Sequence, residues 1–450
     1  MQLNPMKIKL ILLATLLTSF AWSQTYPKSL SLEEAIEFGM KNNRSIINAD
    51  REILKAKKER WKTIAIGLPQ ISSEINYQNF LEMPVSLVPA EFFGGEVGTF
   101  RELTFGTKQN MIGSVKMEQL LFDGSYLVGL EASRVYLKIS ENLFEKTNLE
   151  VKKLITTTYT NVLIAQYTIS FLEKNKKTLE VNLTEIHQLF KNGFEEEESV
   201  EQMQLSLAQV NSQLKYAQNL VKITKEMVKF VIGYPTEKPL VLESDLETIF
   251  NEEIYFKTSP EIDDIQNNID IKIADNNVKS ESLQFKYEKS KSLPKLSGFI
   301  NQTYTGNSDE FTFTERNQKW FGSTLVGLTL KVPLFSSLGR TAVSQKAKIS
   351  LDQAITELTD TQERVRIEVK AAYNDYQLAI DNYFTEKENL RLAERIEKKN
   401  QTKFFEGMVQ SFELRMAQMQ LYTAQNNFVT AIQSVINKKT ALETLLNKTF

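Results

Sequence analysis

The sequence predicts a mainly α protein with a small β component, built twice from one helix-strand-strand-long helical hairpin unit. Three observations carry this. The phrase "QMQLSLAQVN" (202–211) returns as "QMQLYTAQNN" (418–427), with seven of ten positions identical. Two stretches, Leu130 to Asn192 and Arg340 to Glu406, contain no Gly or Pro. Between the helical stretches lie short segments that alternate apolar and polar residues.

The repetition is ordered, and internal repeats override length as a guide to domains. "TTYTNVLIAQY" (157–167) matches "AAYNDYQLAID" (371–381), which sets Tyr159 against Tyr373. "FKNGF" (190–194) matches "FFEGM" (404–408), which sets Gly193 against Gly407. "LPQIS" (68–72) matches "LPKLS" (293–297), and "QLLFDG" (119–124) matches "VPLFSS" (332–337). The expected division is a first repeat over 24–240, a linker over 241–259 and a second repeat over 260–450.

Each repeat opens on a helix, over 31–63 and over 260–292. Ser31 followed by Glu34 is a capping box that satisfies two orphan N–H groups at the helix start. Pro260 suits a first helical turn. The long helices follow. Val151, Ile155, Thr158, Val162, Ala165, Ile169, Leu172, Lys176, Leu179, Leu183, Ile186 and Phe190 alternate spacings of four and three, a heptad seam. Val365, Val369, Ala372, Tyr376, Ala379 and Tyr383 form the second seam. A helix of about 63 residues is roughly 95 Å long at the standard rise. A lone apolar stripe of that length needs neighbouring helices. Gly193 and Gly407 end the rods, because glycine accepts the left-handed conformation of a helix stop. Return helices over 198–232 and 410–447 complete two hairpins. Ala208 and Ala424 in the repeated phrase suit close helix approach.

The strands have one apolar and one polar face. Ile71, Ile75 and Tyr77 oppose Gln70, Ser72, Glu74, Asn76 and Gln78. Met111, Val115 and Met117 oppose Ser114, Lys116 and Glu118. Leu296, Ile300 and Tyr304 form a third apolar row, and Trp320, Val326, Leu328, Leu330 and Val332 a fourth. Their length and alternation fit a transmembrane β-barrel as well as a half-buried soluble sheet. Four strands do not close a barrel, and open edges are not tolerated in lipid. Either the sheet is soluble or several chains share one barrel. Segments 81–109 and 306–319 read as connecting loops.

Composition narrows the function. With 54 basic and 56 acidic residues, the net charge of −2 gives no footprint for nucleic acid. Cys is absent and His187 is the one histidine, so thiolate chemistry and Cys- or His-rich metal sites are excluded. No phosphate-cradling glycine loop is present, and an enzyme is not expected. At the N-terminus, Lys7, Lys9, the apolar run "LILLATLLTSFA" and "AWS" (21–23) read as a signal peptide over 1–23. The protein is expected to be exported.

These features resemble the TolC family of outer-membrane efflux proteins. The resemblance rests on the duplicated unit, the "LP-x-hydrophobic-S" strand start, "QLLFDGSYLVGL" entering a long helix, and a glycine at each hairpin turn. It covers about residues 25–447. It implies a trimeric α-helical barrel plus a shared 12-stranded transmembrane β-barrel, in the outer membrane and extending into the periplasm. The implied function is a passive exit duct of a tripartite efflux or type I secretion system. The implied partners are two further copies, a periplasmic adaptor, an inner-membrane pump of RND or ABC type, and outer-membrane lipid. No cofactor is implied. Positions matching the family's adaptor-contacting tips are Gly193, Phe194, Gly407, Met408 and Val409. Glu413 matches one acidic position of the family's constriction, and Met416 stands where a second acid is expected. A helix-stop role is the favoured reading of the two glycines, and a solvated face is equally open for Glu413. The acidic block "EEEESVE" (195–201) suits the positive end of a helix. A periplasmic coiled-coil adaptor is the competing reading, though adaptors use one helical hairpin where this chain has two.

Overall fold

The computed structural model describes residues 26–246 and 262–447. The expected signal peptide, Pro260 and the linker beyond residue 246 lie outside the described residues. The chain divides into two compact units. A hairpin unit comprises residues up to Ile47, Thr147–Glu261 and Glu368 onward; a sheet unit comprises Asn48–Lys146 and Ile262–Ile367.

The elements run in the following order. The first repeat holds β1 (Ser29–Leu30), α1 (Leu32–Asn42), α2 (Arg44–Ala65), β2 (Gln70–Asn79), β3 (Val85–Pro89), β4 (Phe100–Thr104), β5 (Gln109–Asp123), α3 (Gly124–Lys191) and α4 (Glu197–Ile232). After β6 (Val241–Leu242) come α5 (Ile269–Ser290), β7 (Lys295–Ser308), β8 (Trp320–Lys331), α6 (Gly339–Phe405) and α7 (Ser411–Leu445). The long helices α3 and α6 have 68 and 67 residues.

Three expectations need correction. The helix predicted over 31–63 is two helices, broken at Asn43. The capping box at Ser31 and Glu34 is present, with hydrogen bonds of 3.2 and 2.8 Å. Asn43 then has extended backbone geometry and starts α2 anew, its Oδ1 accepting from the Ser45 and Ile46 N–H groups at 2.8 and 3.2 Å. Within the helix predicted over 260–292, Ile262–Asn267 form a short 3-10 helix and the α-helix begins anew at Ile269. Asn268 caps it, accepting from the Asp270 and Ile271 N–H groups at 2.8 and 3.4 Å. Both asparagines are second in an Asn-Asn pair, and asparagine satisfies orphan donors well at a helix start. The segment 81–109, read as a loop, contains β3 paired antiparallel with β4.

The seams of the two long helices are mostly buried, while Phe190 at the end of the first is exposed. Val151, Ile155, Val162, Leu179 and Ile186 are buried on α3, and Val365, Val369, Tyr376 and Tyr383 on α6. Near the turns, Leu179 and Ile186 join Val200, Met203 and Val210 of α4, Phe404 of α6 and Leu414 of α7 in one apolar cluster. Each such side chain, fully buried, contributes about 1.5–3 kcal/mol. Polar groups register the helices: Gln433 Nε2 donates to Asn161 Oδ1 at 3.0 Å, and Gln401 Nε2 to Asn182 Oδ1 at 3.2 Å. Tyr159 is fully buried, and its hydroxyl donates to the Leu30 carbonyl at 2.9 Å and accepts from the Ser244 N–H at 3.2 Å. That contact sits beside the parallel pair β1–β6.

The repeated phrase is out of phase with the geometry. Measured from the turn glycines, it sits further along α7 than along α4. Met203 is therefore buried while its phrase counterpart Met419 is exposed. Ala208 is exposed and Ala424 is buried, so only Ala424 serves close helix packing in this chain.

In the sheet unit, β2-β5-β7-β8 form one antiparallel sheet in that order. A register shift between Leu120 and Phe122 marks a bulge at the end of β5. There the strand hands over to α3. Asp123 accepts from the Ser125 and Tyr126 N–H groups at 2.8 and 3.2 Å and pairs with Lys295 at 3.3 Å.

Candidate channel surfaces and hairpin tips

The register aligns the two faces of the sheet across all four strands. Ile71, Met117, Ile300 and Val326 stand in one cross-strand row. Tyr77, Met111, Gly306 and Trp320 stand in another on the same face. The opposite face carries Glu74, Ser114, Thr303 and Ser323 in one row, and Ser72, Lys116, Asn301 and Leu325 beside it, so it is polar on β2, β5 and β7 and mixed on β8. The apolar face is bare: Ile71 and Leu328 are each 72% exposed and Val326 69%. This is the inverse of a soluble half-buried sheet, whose apolar side is covered.

Aromatic rings cluster at one end of that face. Tyr77 meets Phe311 and Phe313 edge-on, with centroids 5.7 and 5.9 Å apart, and Phe313 lies 6.2 Å from Trp320. Phe311 and Phe313 come from the segment between β7 and β8. Aromatic belts of this kind suit the boundary between lipid tails and water. Among the described residues, no helix is long and apolar enough to cross a membrane.

The hairpin unit presents two tips of the same construction. Gly193 has φ +77° and Gly407 φ +69°. The Gly193 N–H donates to the Phe190 carbonyl at 3.0 Å and the Phe194 N–H to that of Leu189 at 2.9 Å. The Gly407 and Met408 N–H groups repeat this with Phe404 and Lys403 at 3.0 and 2.8 Å. Both helices thus stop through a left-handed residue that satisfies their last carbonyls. The turns throw Phe194 and Met408 outward, 79% and 70% exposed. Val409 instead packs half-buried against the apolar cluster. Ser199 and Ser411 share a hydrogen bond at 2.8 Å beside the turns.

Glu413 lies in the first turn of α7, where its carboxylate accepts from the Gln410 N–H at 3.1 Å. It is therefore the second half of a capping box. Met416 is half-exposed one turn further on, between exposed Phe412 and Met419. In the acidic block, Glu197 and Glu198 occupy the first turn of α4, where carboxylates are favoured. Among the described residues, no group of three or more His, Cys, Asp or Glu could hold a metal ion.

A buried carboxylate escaped the sequence reading. Glu397 on α6 is only 9% exposed, and burial holds its carboxyl above the usual range. Gln418 of α7 faces it and opposes this only in part; Gln418 Nε2 itself reaches no hydrogen-bond geometry. Burial, with the Glu397 charge behind it, pushes the Tyr422 hydroxyl strongly up as well. Glu397 sits in a charge-rich stretch that reads as solvated, and only the packing of α7 against it shows otherwise.

With these surfaces defined, the relatives are informative. The family model for outer membrane efflux proteins matches residues 263–448, most of the second repeat. No curated protein sequence matches the chain. Among solved structures, CusC, studied for its folding and transmembrane channel formation, is similar at a TM-score of 0.75 and 14% identity, covering 92% of this chain and 91% of that one. The outer membrane protein VceC of Vibrio cholerae gives 0.72 and 14% over 92% and 96%. The CmeC outer membrane channel of Campylobacter jejuni gives 0.69 and 15% over 95% and 90%. At such identities the likeness is one of fold. The family match rests on the second repeat, and the likeness of fold extends to the first.

Proposed function

We propose that this chain is the outer-membrane exit duct of a tripartite efflux or type I secretion system. Three copies share a 12-stranded barrel, and their helical hairpins line a passive tunnel through the periplasm. A periplasmic adaptor docks at the hairpin tips, and an inner-membrane pump of RND or ABC type supplies the energy.

The observation that carries this reading is the sheet. Its apolar face is exposed, and among the described residues both edge strands, β2 and β8, lack a neighbour on one side. Patches of that size do not stay in water, and open edges do not stay in lipid. Joining β2 of one copy to β8 of the next removes both problems. A soluble periplasmic adaptor has no use for such a face.

The test is extraction of the full chain from membranes, light scattering in detergent, and conductance in a planar bilayer. Trimers that form steady water-filled pores are expected. A detergent-free soluble monomer, or a trimer with no conductance, overturns the reading.

A further inference from the structure

Within the hairpin unit, α3, α4 and α7 line a cavity of about 760 Å³, inside the usual range for small-molecule sites. Two amide pairs bracket it along α3: Asn161 with Gln433, and Asn175 with Gln425. At the standard helical rise these pairs stand roughly 21 Å apart. They tie α3 to α7, and α4 forms the other wall. Ala165 and Ala217, both buried in the lining, leave space that larger side chains would close.

The lining has a consistent chemistry. Each of the three helices supplies an aromatic ring: Phe171 from α3, Tyr216 from α4 and Tyr422 from α7. Gln213 of α4 and Asn426 of α7 add amides whose side chains form no hydrogen bond among the described residues. No Lys, Arg, Asp or Glu lines the cavity, in a chain of which 24% is charged. We propose that this cavity is a binding site for an uncharged aromatic small molecule. Rings on three walls suit edge-on or offset contact with a ring of the guest. The two amides offer donors and acceptors to its carbonyl or hydroxyl groups. An ionised guest would leave water for walls that carry no countercharge, at a heavy cost. The site is built from one chain, so it does not rest on the channel reading.

Benzophenone is a suitable probe. It is neutral, carries two rings and a carbonyl, and inserts into a neighbouring C–H bond on ultraviolet excitation. The full-length chain is purified in detergent, irradiated with benzophenone, digested and read by mass spectrometry. Saturable labelling concentrated on residues 161–175, 210–224 and 422–433 is expected. The para-carboxylate of benzophenone, ionised at neutral pH, should label these segments roughly fivefold less. Ala217→Phe fills the cavity and should lower benzophenone labelling by roughly the same factor. Asn426→Trp obstructs it from the exposed side of α7 and serves should Ala217→Phe fail to fold, which melting by circular dichroism establishes. Unsaturable labelling spread over the sheet unit, equal labelling by the carboxylate, or undiminished labelling of a folded variant each overturns the proposal. So does a well-folded trimer that takes no label here, because a neighbouring copy then fills the space. Light scattering that finds only monomers, labelled at these segments, defeats the channel reading and supports the site.

Discussion

Asn175 and Gln425 hold each other by two hydrogen bonds inside the hairpin unit: Asn175 Nδ2 donates to Gln425 Oε1 at 2.7 Å, and Gln425 Nε2 donates back to Asn175 Oδ1 at 3.3 Å. Both side chains are buried, so the pair fixes the register of α3 against α7. Asn175→Leu alone strands a buried amide, at a cost of about 1–3 kcal/mol. Adding Gln425→Leu should recover part of that loss. A double-mutant cycle on thermal melting, followed by circular dichroism, measures the coupling. Simple additivity would show that the two amides act independently.

The turn glycines make a conformational prediction. An added Cβ at Gly193 or Gly407 meets no atom within 4 Å, so any cost of substitution comes from the backbone. Gly193→Ala and Gly407→Ala should each destabilise by about 1–2 kcal/mol, the penalty of a side chain in the left-handed region. Gly→Asn should cost less. On the proposed docking of an adaptor at the hairpin tips, Phe194→Glu and Met408→Glu should leave melting unchanged yet weaken adaptor binding. Undiminished adaptor binding by the double variant would remove these two residues from the docking surface.

The two faces of β8 should respond oppositely to charge. Val326→Lys places an ammonium on the apolar face, at a cost of about 2–4 kcal/mol if that position lies at mid-membrane. Ser323→Lys places the same group on the polar face, which already carries Lys116. On the proposed trimeric channel, the first should reduce the amount of trimer in outer-membrane fractions, and the second should leave it near normal while altering ion selectivity. Equal losses would contradict the assignment of the faces.

Glu397 predicts a pH dependence. Burial raises its folded-state pKa above the ordinary carboxylate value. Between those two values the folded chain holds a proton that the unfolded chain has released. Stability from this group is therefore greatest at acid pH, falls as pH rises through that window, and levels off above it. Glu397→Gln should raise the melting temperature at pH 8 and flatten its dependence on pH. A melting temperature that rises with pH in the native chain but not in the variant would refute the sign.

Much of this was legible because it is periodic. The four-three alternation of Val151 to Ile186 marks a helix with one buried line. The alternation of Ile71, Ile75 and Tyr77 with polar residues marks a strand with two unlike faces. Gly193 and Gly407 mark helix stops, because few other residues accept a positive φ. The breaks at Asn43 and Asn268 also left a signal, an Asn-Asn pair at the same place in both repeats. The apolar periodicity running through each pair hides it. In β3 and β4, dense turn residues around two short runs obscured a hairpin.

The sequence by itself determined the duplicated units, the long helices, the hairpin turns and the two-faced strands, since each depends on residues close together in the chain. Only the tertiary structure decided what lies against what. It joined β5 to β7, set Asn175 against Gln425, buried Glu397, and placed the repeated phrase at different depths on its two arms. Local pattern says that a residue seeks cover or a partner; which group supplies it depends on how distant segments pack.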